Sequence, residues 1–152
     1  MKYIAYGSNM SMEQMAFRCP DAHVVGVGYL EGWKLEFYLH ATVEPVKRDG
    51  RVPVVVWEIS ESDELNLDHY EGVPSYYTKE RATATLMDGE KVEGLIYLMR
   101  KYRDLPPTSG YVKGIADAYR RFGFKKELAD LNEAVRVSEI ASWRYKSDVG
   151  DM

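Results

Sequence analysis

The chain has 152 residues, 45% of them hydrophobic and 29% charged, which is the composition of a globular domain with a sizeable core. Its 24 acidic residues outnumber 20 basic ones, so the formal net charge of −4 argues against nucleic acid and anionic lipid as partners. The apolar stretch at residues 1–6 is too short for a signal peptide, and no segment could span a bilayer, so we expect one cytoplasmic domain over residues 1–152.

The first predicted elements are a strand, a turn and a helix. Residues 2–6 are β-prone and are followed at once by the turn-forming sequence Gly-Ser-Asn at 7–9. Ser11 and Gln14 have the spacing of a capping box, which predicts a helix that starts at this point. Pro20 then stops the helix.

Three strands are predicted next. The runs at residues 22–30 and 33–40 are rich in β-branched and aromatic side chains. The Glu-Gly dipeptide at 31–32 predicts that these two runs pair as a hairpin. Residues 52–59 are more continuously apolar, as expected of a strand that is buried on both faces.

A helix and a second hairpin follow. Ser60 caps a short helix that runs to about Tyr70, with Asp63 at its third position and Gly72 as its terminator. Residues 76–87 and 91–100 are two further β-type runs, and the Asp-Gly dipeptide at 88–89 between them is a strong hairpin signal.

Helical patterns dominate the last third of the chain. Apolar residues between positions 111 and 122 recur with helical spacing, Gly123 closes this segment, and a second helix starts at Lys125. The alternating Val-Arg-Val sequence at 135–137 obscures where that second helix ends. Because strands dominate the first two thirds and helices the last, we predict an α+β fold.

Residues that bind metals in proteins lack ligand spacing in this sequence. His23, His40 and His69 are scattered along the chain, and Cys19 is the one cysteine. We therefore predict no metal site.

Two segments are candidates for chemistry, and each also has an ordinary structural interpretation. The Tyr-Gly-Ser-Asn sequence at 6–9 is a common turn, but a glycine turn that leads into a helix also presents backbone N–H groups to a carboxylate or an oxyanion. Glu71 is either a solvated side chain at a helix end or, if it is partly buried, a general base. Ser8 lacks the second glycine of a nucleophile elbow, and no Walker lysine follows Gly7, so nucleophilic and nucleotide-binding interpretations are weaker.

Taken together and in order, these segments resemble the γ-glutamylcyclotransferase family. The pairing of Tyr-Gly-Ser-Asn at 6–9 with Leu-Asp-x-x-Glu-Gly at 67–72 is specific, whereas either half alone is not. The resemblance covers most of the chain and thins out towards its C-terminal end. The matching segments are Tyr3–Met10, Val55–Trp57, Leu67–Val73 with Tyr77, and Tyr97–Met99 through Pro106-Pro107 to Tyr111.

The resemblance implies a small β-barrel-like sheet flanked by helices. It implies an enzyme of glutathione metabolism that releases 5-oxoproline from a γ-glutamyl amino acid, peptide or amine without a cofactor. The substrate's α-amine would attack its own γ-carbonyl, with Glu71 as general acid and base. The resemblance is also compatible with a homodimer. The residues implied to bind the small-molecule substrate are Tyr3, Ile4, Ala5, Tyr6, Gly7, Ser8, Asn9, Tyr77 and Tyr111, with Tyr76 as an alternative to Tyr77.

One position departs from the family pattern. Relatives commonly have glycine before the Val-Val-Trp run at 55–57, whereas this chain has Val54, preceded by Pro53. We expect a bulkier strand at this position to narrow the substrate pocket or change its lining. The sequence leaves the identity of the γ-glutamyl compound open. A second hypothesis is a small-molecule binding module without turnover, against which the presence of Glu71 argues.

Overall fold

A computed structural model of the chain describes the backbone of residues 1–150 and the side chains of residues 1–144. Strands form most of the first hundred residues and helices most of the rest, in agreement with the predicted α+β class. The strands are β1 (Lys2–Ala5), β2 (His23–Glu31), β3 (Trp33–Tyr38), β4 (His40–Pro45), β5 (Arg51–Glu58), β6 (Tyr77–Leu86) and β7 (Lys91–Met99). The helices are α1 (Met12–Arg18), α2 (Glu61–Tyr70), α3 (Ser109–Arg121) and α4 (Leu128–Gly150).

Five of these strands close into a small barrel in the order β1, β5, β2, β6, β7. The neighbouring strands are antiparallel except where β1 meets β7 in parallel, with Tyr3 opposite Leu95. A barrel of this size is filled by side chains, and Ile4, Val56 and Ile96 have no exposed surface. This confirms the predicted barrel-like sheet flanked by helices.

The predicted hairpin between residues 22–30 and 33–40 is wrong. Both runs are strands, but β2 pairs with β5 and β6, whereas β3 pairs with β4 in a separate two-stranded sheet. Gly32, at φ 83°, turns the chain out of the barrel, and its N–H donates to the Gly50 carbonyl at 2.7 Å. The reversal between β3 and β4 occurs instead at Leu39, whose φ is 67°.

The predicted start of α1 is confirmed, although only half of the capping box forms. The Gln14 backbone N–H donates to the Ser11 hydroxyl oxygen at 3.2 Å, so Ser11 is the N-cap. The Gln14 side chain does not return to Ser11. It donates to Asn9 Oδ1 at 3.1 Å, and this contact ties α1 to the turn that precedes it.

The predicted limits of α2 and of the β6–β7 hairpin are confirmed. Ser60 and Asp63 form a reciprocal capping box at the start of α2, and Gly72, at φ 62°, ends it. Gly89 has φ 90° in the turn between β6 and β7, and β6 pairs with β7 along most of its length.

The C-terminal helices also follow the predicted pattern. Gly123, at φ 87°, separates α3 from a 3₁₀ turn at Lys125–Glu127, which leads directly into α4. The alternating residues 135–137 are helical and do not interrupt α4. Within the described residues, no helix combines the length and the apolar character that a bilayer crossing requires.

Candidate active site

A pocket of about 210 Å³ lies beside the end of the barrel where β1 and β7 finish and β6 begins. The turn after β1, helix α1, the end of α2 and the start of β4 form its walls, together with one residue each of β1, β6, β7 and α3. The pocket is lined by Tyr3, Tyr6, Gly7, Ser8, Asn9, Gln14, Arg18, His40, Ala41, Tyr70, Glu71, Tyr77, Tyr97 and Tyr111.

Most of the sequence-predicted site residues meet in this pocket although they are far apart in the chain. Glu71 and all the predicted substrate-binding residues except Ile4 and Ala5 line it. Ile4 and Ala5 are at most 1% exposed and belong to the hydrophobic core, so they support the turn from behind. Tyr77 lines this pocket, whereas Tyr76 lies outside it and is 47% exposed.

Asn9 connects the turn, α1 and Glu71 through its side chain. Its Oδ1 accepts from Arg18 Nη1 at 3.0 Å, and a guanidinium can only donate, so this contact fixes which way the amide faces. Asn9 Nδ2 therefore faces the other way, towards Tyr3 Oη at 2.9 Å and Glu71 Oε1 at 3.4 Å. The Asn9 carbonyl accepts from the Trp57 indole N–H at 3.0 Å, which ties the turn to β5.

Glu71 lies at the C-terminal end of α2 and provides the carboxyl group of the pocket. Its backbone N–H donates to the Leu67 carbonyl at 2.8 Å, and the positive φ of Gly72 turns the chain away immediately afterwards. Burial raises the pKa of the Glu71 carboxyl to about 7, while the Arg18 guanidinium opposes that rise. A carboxyl with this pKa is divided between its acid and base forms near neutral pH.

Two tyrosine hydroxyls are held by the same residue of β4. Tyr77 Oη donates to the Ala41 carbonyl at 2.7 Å, and the Ala41 N–H donates to Tyr111 Oη at 3.0 Å. Burial raises the pKa of Tyr111 to about 12 and that of Tyr77 still further, so both phenols stay protonated. Because Tyr111 Oη accepts from Ala41, its own proton can be donated into the pocket.

A second pair of tyrosines also lines the pocket, with Tyr6 directly after β1 and Tyr97 on β7. The Tyr6 hydroxyl donates to the Tyr97 carbonyl, and Tyr97 Oη donates to Asp68 Oδ1 at 2.7 Å. Burial is the main reason why the pKa values of both phenols are raised. The Asp68 carboxylate, which also accepts from Lys79 Nζ at 3.0 Å, thereby anchors the last turn of α2 to β6 and β7.

Sequence reasoning missed several residues that line the pocket. Arg18 has its guanidinium 4.5 Å from the centre of the Tyr70 ring, and it is the cation of this pocket. Its position at the end of α1, one helix length after the Tyr-Gly-Ser-Asn turn, is a signal that could have suggested it. The other missed residues are Gln14, His40, Ala41, Tyr70 and Tyr97. Gln14 was interpreted only as a capping residue, and Tyr70 and Tyr97 lie in segments that match the family without having been assigned to the site.

The expected effect of Val54 and Pro53 on the pocket is not observed. Neither residue lines it. Val54 is fully buried in the barrel, and Pro53 lies in a larger, mostly apolar cavity of about 870 Å³ between β3 and α4. That larger cavity contains none of the sequence-predicted site residues. Among the residues whose side chains are described, no cluster of three or more His, Cys, Asp or Glu has the arrangement of a metal site.

The fold and the pocket together define a class of protein. A small closed barrel holds, at one end, a single carboxyl with a pKa near neutrality, surrounded by protonated phenols and a glycine turn. Such a site is suited to moving a proton within a small molecule that is enclosed by the pocket.

Comparison with known proteins agrees with this class. Residues 3–114 match the family model described as "Gamma-glutamyl cyclotransferase, AIG2-like", and the chain belongs to that family. It is 28% identical to the γ-glutamylcyclotransferase of Mus musculus over 98% of this chain and 83% of that one. With the γ-glutamylcyclotransferase of Homo sapiens it is 29% identical over 90% of this chain and 79% of that one. A solved γ-glutamyl cyclotransferase structure superposes with a TM-score of 0.78 at 28% identity, covering 88% of this chain and 86% of that chain.

Proposed function

We propose that the protein is a γ-glutamyl cyclotransferase that releases 5-oxoproline and a free amine from a γ-glutamyl compound, with Glu71 as the catalytic acid and base. The observation that carries this proposal is the Glu71 carboxyl, whose pKa of about 7 arises inside a pocket that the family turn at residues 7–9 also lines. Relatives named for this activity add independent support.

Substrate binding is assigned to the turn and to Arg18. The N–H groups of Met10 and Ser11 are occupied by the carbonyls of Gly7 and Ser8, within the turn itself. Among the described residues, none accepts a hydrogen bond from the backbone N–H of Ser8 or Asn9. These N–H groups and the Arg18 guanidinium are therefore suited to hold the α-carboxylate of the γ-glutamyl group.

The proton transfers are assigned to Glu71. In its ionised form it accepts a proton from the α-nitrogen, which then attacks the γ-carbon of the same substrate molecule. The new bond joins the α-nitrogen to the γ-carbon, and the bond that breaks joins the γ-carbon to the leaving nitrogen. Glu71 passes its proton to that leaving nitrogen, and the ring nitrogen releases a second proton to solvent as it becomes the lactam N–H. The carboxylate is thereby regenerated, and the products are 5-oxoproline and the amine.

The oxyanion on the γ-carbonyl oxygen requires donors that do not lose their own proton. The phenols around Glu71 meet this requirement, whereas the N–H groups of Ser8 and Asn9 are already assigned to the α-carboxylate. Tyr3 Oη accepts from Asn9, and Tyr111 Oη accepts from Ala41, so the proton of each hydroxyl is available to the substrate.

The test is incubation of the purified protein with γ-glutamyl dipeptides, γ-glutamyl amines and glutathione, with 5-oxoproline measured by mass spectrometry, with and without EDTA. We expect 5-oxoproline from at least one compound, in amounts that EDTA does not change, because every step uses protein groups alone. Absence of 5-oxoproline with every compound would support the binding-module hypothesis, and loss of activity with EDTA that zinc or magnesium restores would contradict the metal-free mechanism.

Four further features of the proposal remain predictions of the sequence. These are a cytoplasmic location, a role in glutathione metabolism, a single domain over residues 1–152, and a homodimer. Size-exclusion chromatography with light scattering measures the oligomeric state directly.

A further inference from the structure

A second chamber of about 400 Å³ adjoins the active-site pocket at Glu71. The two spaces share the lining residues His40, Tyr70, Glu71 and Tyr77, so both border the Glu71 residue. Leu39, Tyr76, Lys101 and Arg103 are among the residues that form the other walls of the second chamber.

The second chamber is electrically positive. Lys101 and Arg103 are exposed, and both face the ring of Tyr76, with Lys101 Nζ 5.3 Å and the Arg103 guanidinium carbon 6.0 Å from its centre. Among the residues whose side chains are described, neither cation has a carboxylate oxygen within 4.0 Å. The one carboxyl in the chamber wall is Glu71, which the proposed reaction already uses.

The segment that carries both cations is attached to the other walls of the chamber. The backbone N–H of Lys101 donates to the Tyr76 carbonyl at 3.3 Å. Two residues after Arg103, the Leu105 carbonyl accepts from the Leu39 N–H at 2.7 Å. Because the backbone is held on both sides of Arg103, the segment that carries the two cations stays beside the chamber without a bound ligand, which lowers the cost of binding an anion.

The position of the chamber relative to Glu71 identifies which part of a substrate would enter it. If the γ-glutamyl group occupies the first pocket, as proposed above, its γ-carbonyl lies at Glu71, and the second chamber is the neighbouring space that can receive the leaving amine. We propose that Lys101 and Arg103 bind an anionic group on the leaving amine, so that they select γ-glutamyl compounds by the negative charge of the part that is released. This inference rests on the proposed function.

The test compares three substrates that differ in the charge of the leaving part: γ-glutamyl-glutamate, γ-glutamyl-alanine and γ-glutamyl-alaninamide. For the unmodified protein we expect kcat/KM to fall in that order, with the alanine compound about tenfold better than its amide, since two exposed ion pairs together provide roughly this much. The preference should weaken between about 20 mM and about 500 mM salt, because exposed charges are screened.

The variants are Lys101→Gln/Arg103→Gln and the charge reversal Lys101→Glu/Arg103→Glu. We expect the first to bring the ratio of alanine to alaninamide kcat/KM close to one, mainly through KM, and the second to bring it below one. The matched control is Lys125→Gln/Lys126→Gln, which removes the same charge from two exposed residues that line neither space. This control should keep the ratio of alanine to alaninamide kcat/KM that the unmodified protein shows.

The outcomes separate this inference from the proposed function. Turnover of all three substrates without a preference for negative charge, or a preference that survives both variants, would overturn the role of Lys101 and Arg103 and leave the cyclotransferase proposal standing. No 5-oxoproline from any of the three, nor from the wider set of γ-glutamyl compounds, would overturn both.

Discussion

At the scale of single residues, the site depends on the environment of one carboxyl. Glu71 has no unusual local sequence, and its pKa rises to about 7 because aromatic and backbone groups from other parts of the chain bury it. The contacts of Asn9 span up to 62 residues of sequence, which explains why motif reasoning could propose Asn9 and Glu71 but not the way they meet. Tyr97 was missed for the same reason, since its carbonyl accepts from Tyr6, which lies 91 residues away in the sequence.

Replacement of Glu71 by glutamine tests its role as the base. Glutamine keeps the shape but cannot take the proton, so we expect kcat to fall by roughly 10²–10⁴-fold, with binding of 5-oxoproline retained. For the unmodified protein, kcat/KM should rise with pH through about 7, as Glu71 ionises, and this rise should be missing from the residual activity of the variant. Glu80→Gln, at an exposed position of β6, is the matched control. Near-normal turnover by Glu71→Gln would remove it as the base.

Asn9→Asp tests whether Asn9 tunes that base. The change is almost isosteric and keeps the oxygen that accepts from Arg18, but it replaces the amide nitrogen 3.4 Å from Glu71 Oε1 with a second carboxylate oxygen. A nearby like charge disfavours ionisation, so we expect the pH–rate midpoint to move upward by about one pH unit or more. Asn132→Asp, on the exposed side of α4, makes the same chemical change outside the site. An unshifted midpoint in Asn9→Asp would show that Asn9 has a purely structural role.

At the scale of elements, local signals predicted local structure well. Ser60 with Asp63, and the Asp-Gly turn at 88–89, describe events within a few residues, and both are confirmed. Local signals did not predict the strand that pairs with β2, because the Glu-Gly dipeptide at 31–32 indicates only that the chain turns. It carries no information on β5, whose buried residues 52–57 provide β2 with a longer apolar partner.

Closure of the barrel depends on the contact between β2 and β6, which Gly28 makes possible. A Cβ atom at Gly28 would lie 2.1 Å from the Thr85 carbonyl oxygen, and backbone cannot yield as a side chain can. We therefore expect Gly28→Ala to lower the free energy of unfolding by about 3 kcal/mol or more, measured by urea denaturation. As a control, Gly114→Ala in α3, where no atom lies within 4 Å of the new Cβ, should raise it by about 0.5–1 kcal/mol. Equal stability of the two variants would contradict this account of closure.

At the scale of the whole molecule, the raised pKa of Glu71 lowers the stability of the folded protein as the pH rises. The Glu71 carboxyl titrates near 7 in the folded protein and near 4.5 in the unfolded chain. Between these values the folded state binds more protons, so the contribution of Glu71 to stability falls as the pH rises, and it stays at its lowest level above about pH 7. Ion pairs such as Glu58 with Lys2, which lower the pKa of Glu58 to about 2, act in the opposite direction at lower pH.

The contribution of Glu71 can be isolated by comparing Glu71→Gln with the unmodified protein across pH, since every other titrating group cancels in the difference. Relative to the unmodified protein, the variant should gain stability steadily from about pH 4.5 to about pH 7 and no further above that, by at most about 3 kcal/mol. The measurement is the free energy of unfolding by urea at intervals of pH, and Glu80→Gln should show no such trend because its side chain is exposed. A difference between Glu71→Gln and the unmodified protein that does not change with pH would mean that Glu71 titrates like a solvated carboxyl, in which case the proton transfers assigned to it would need another residue.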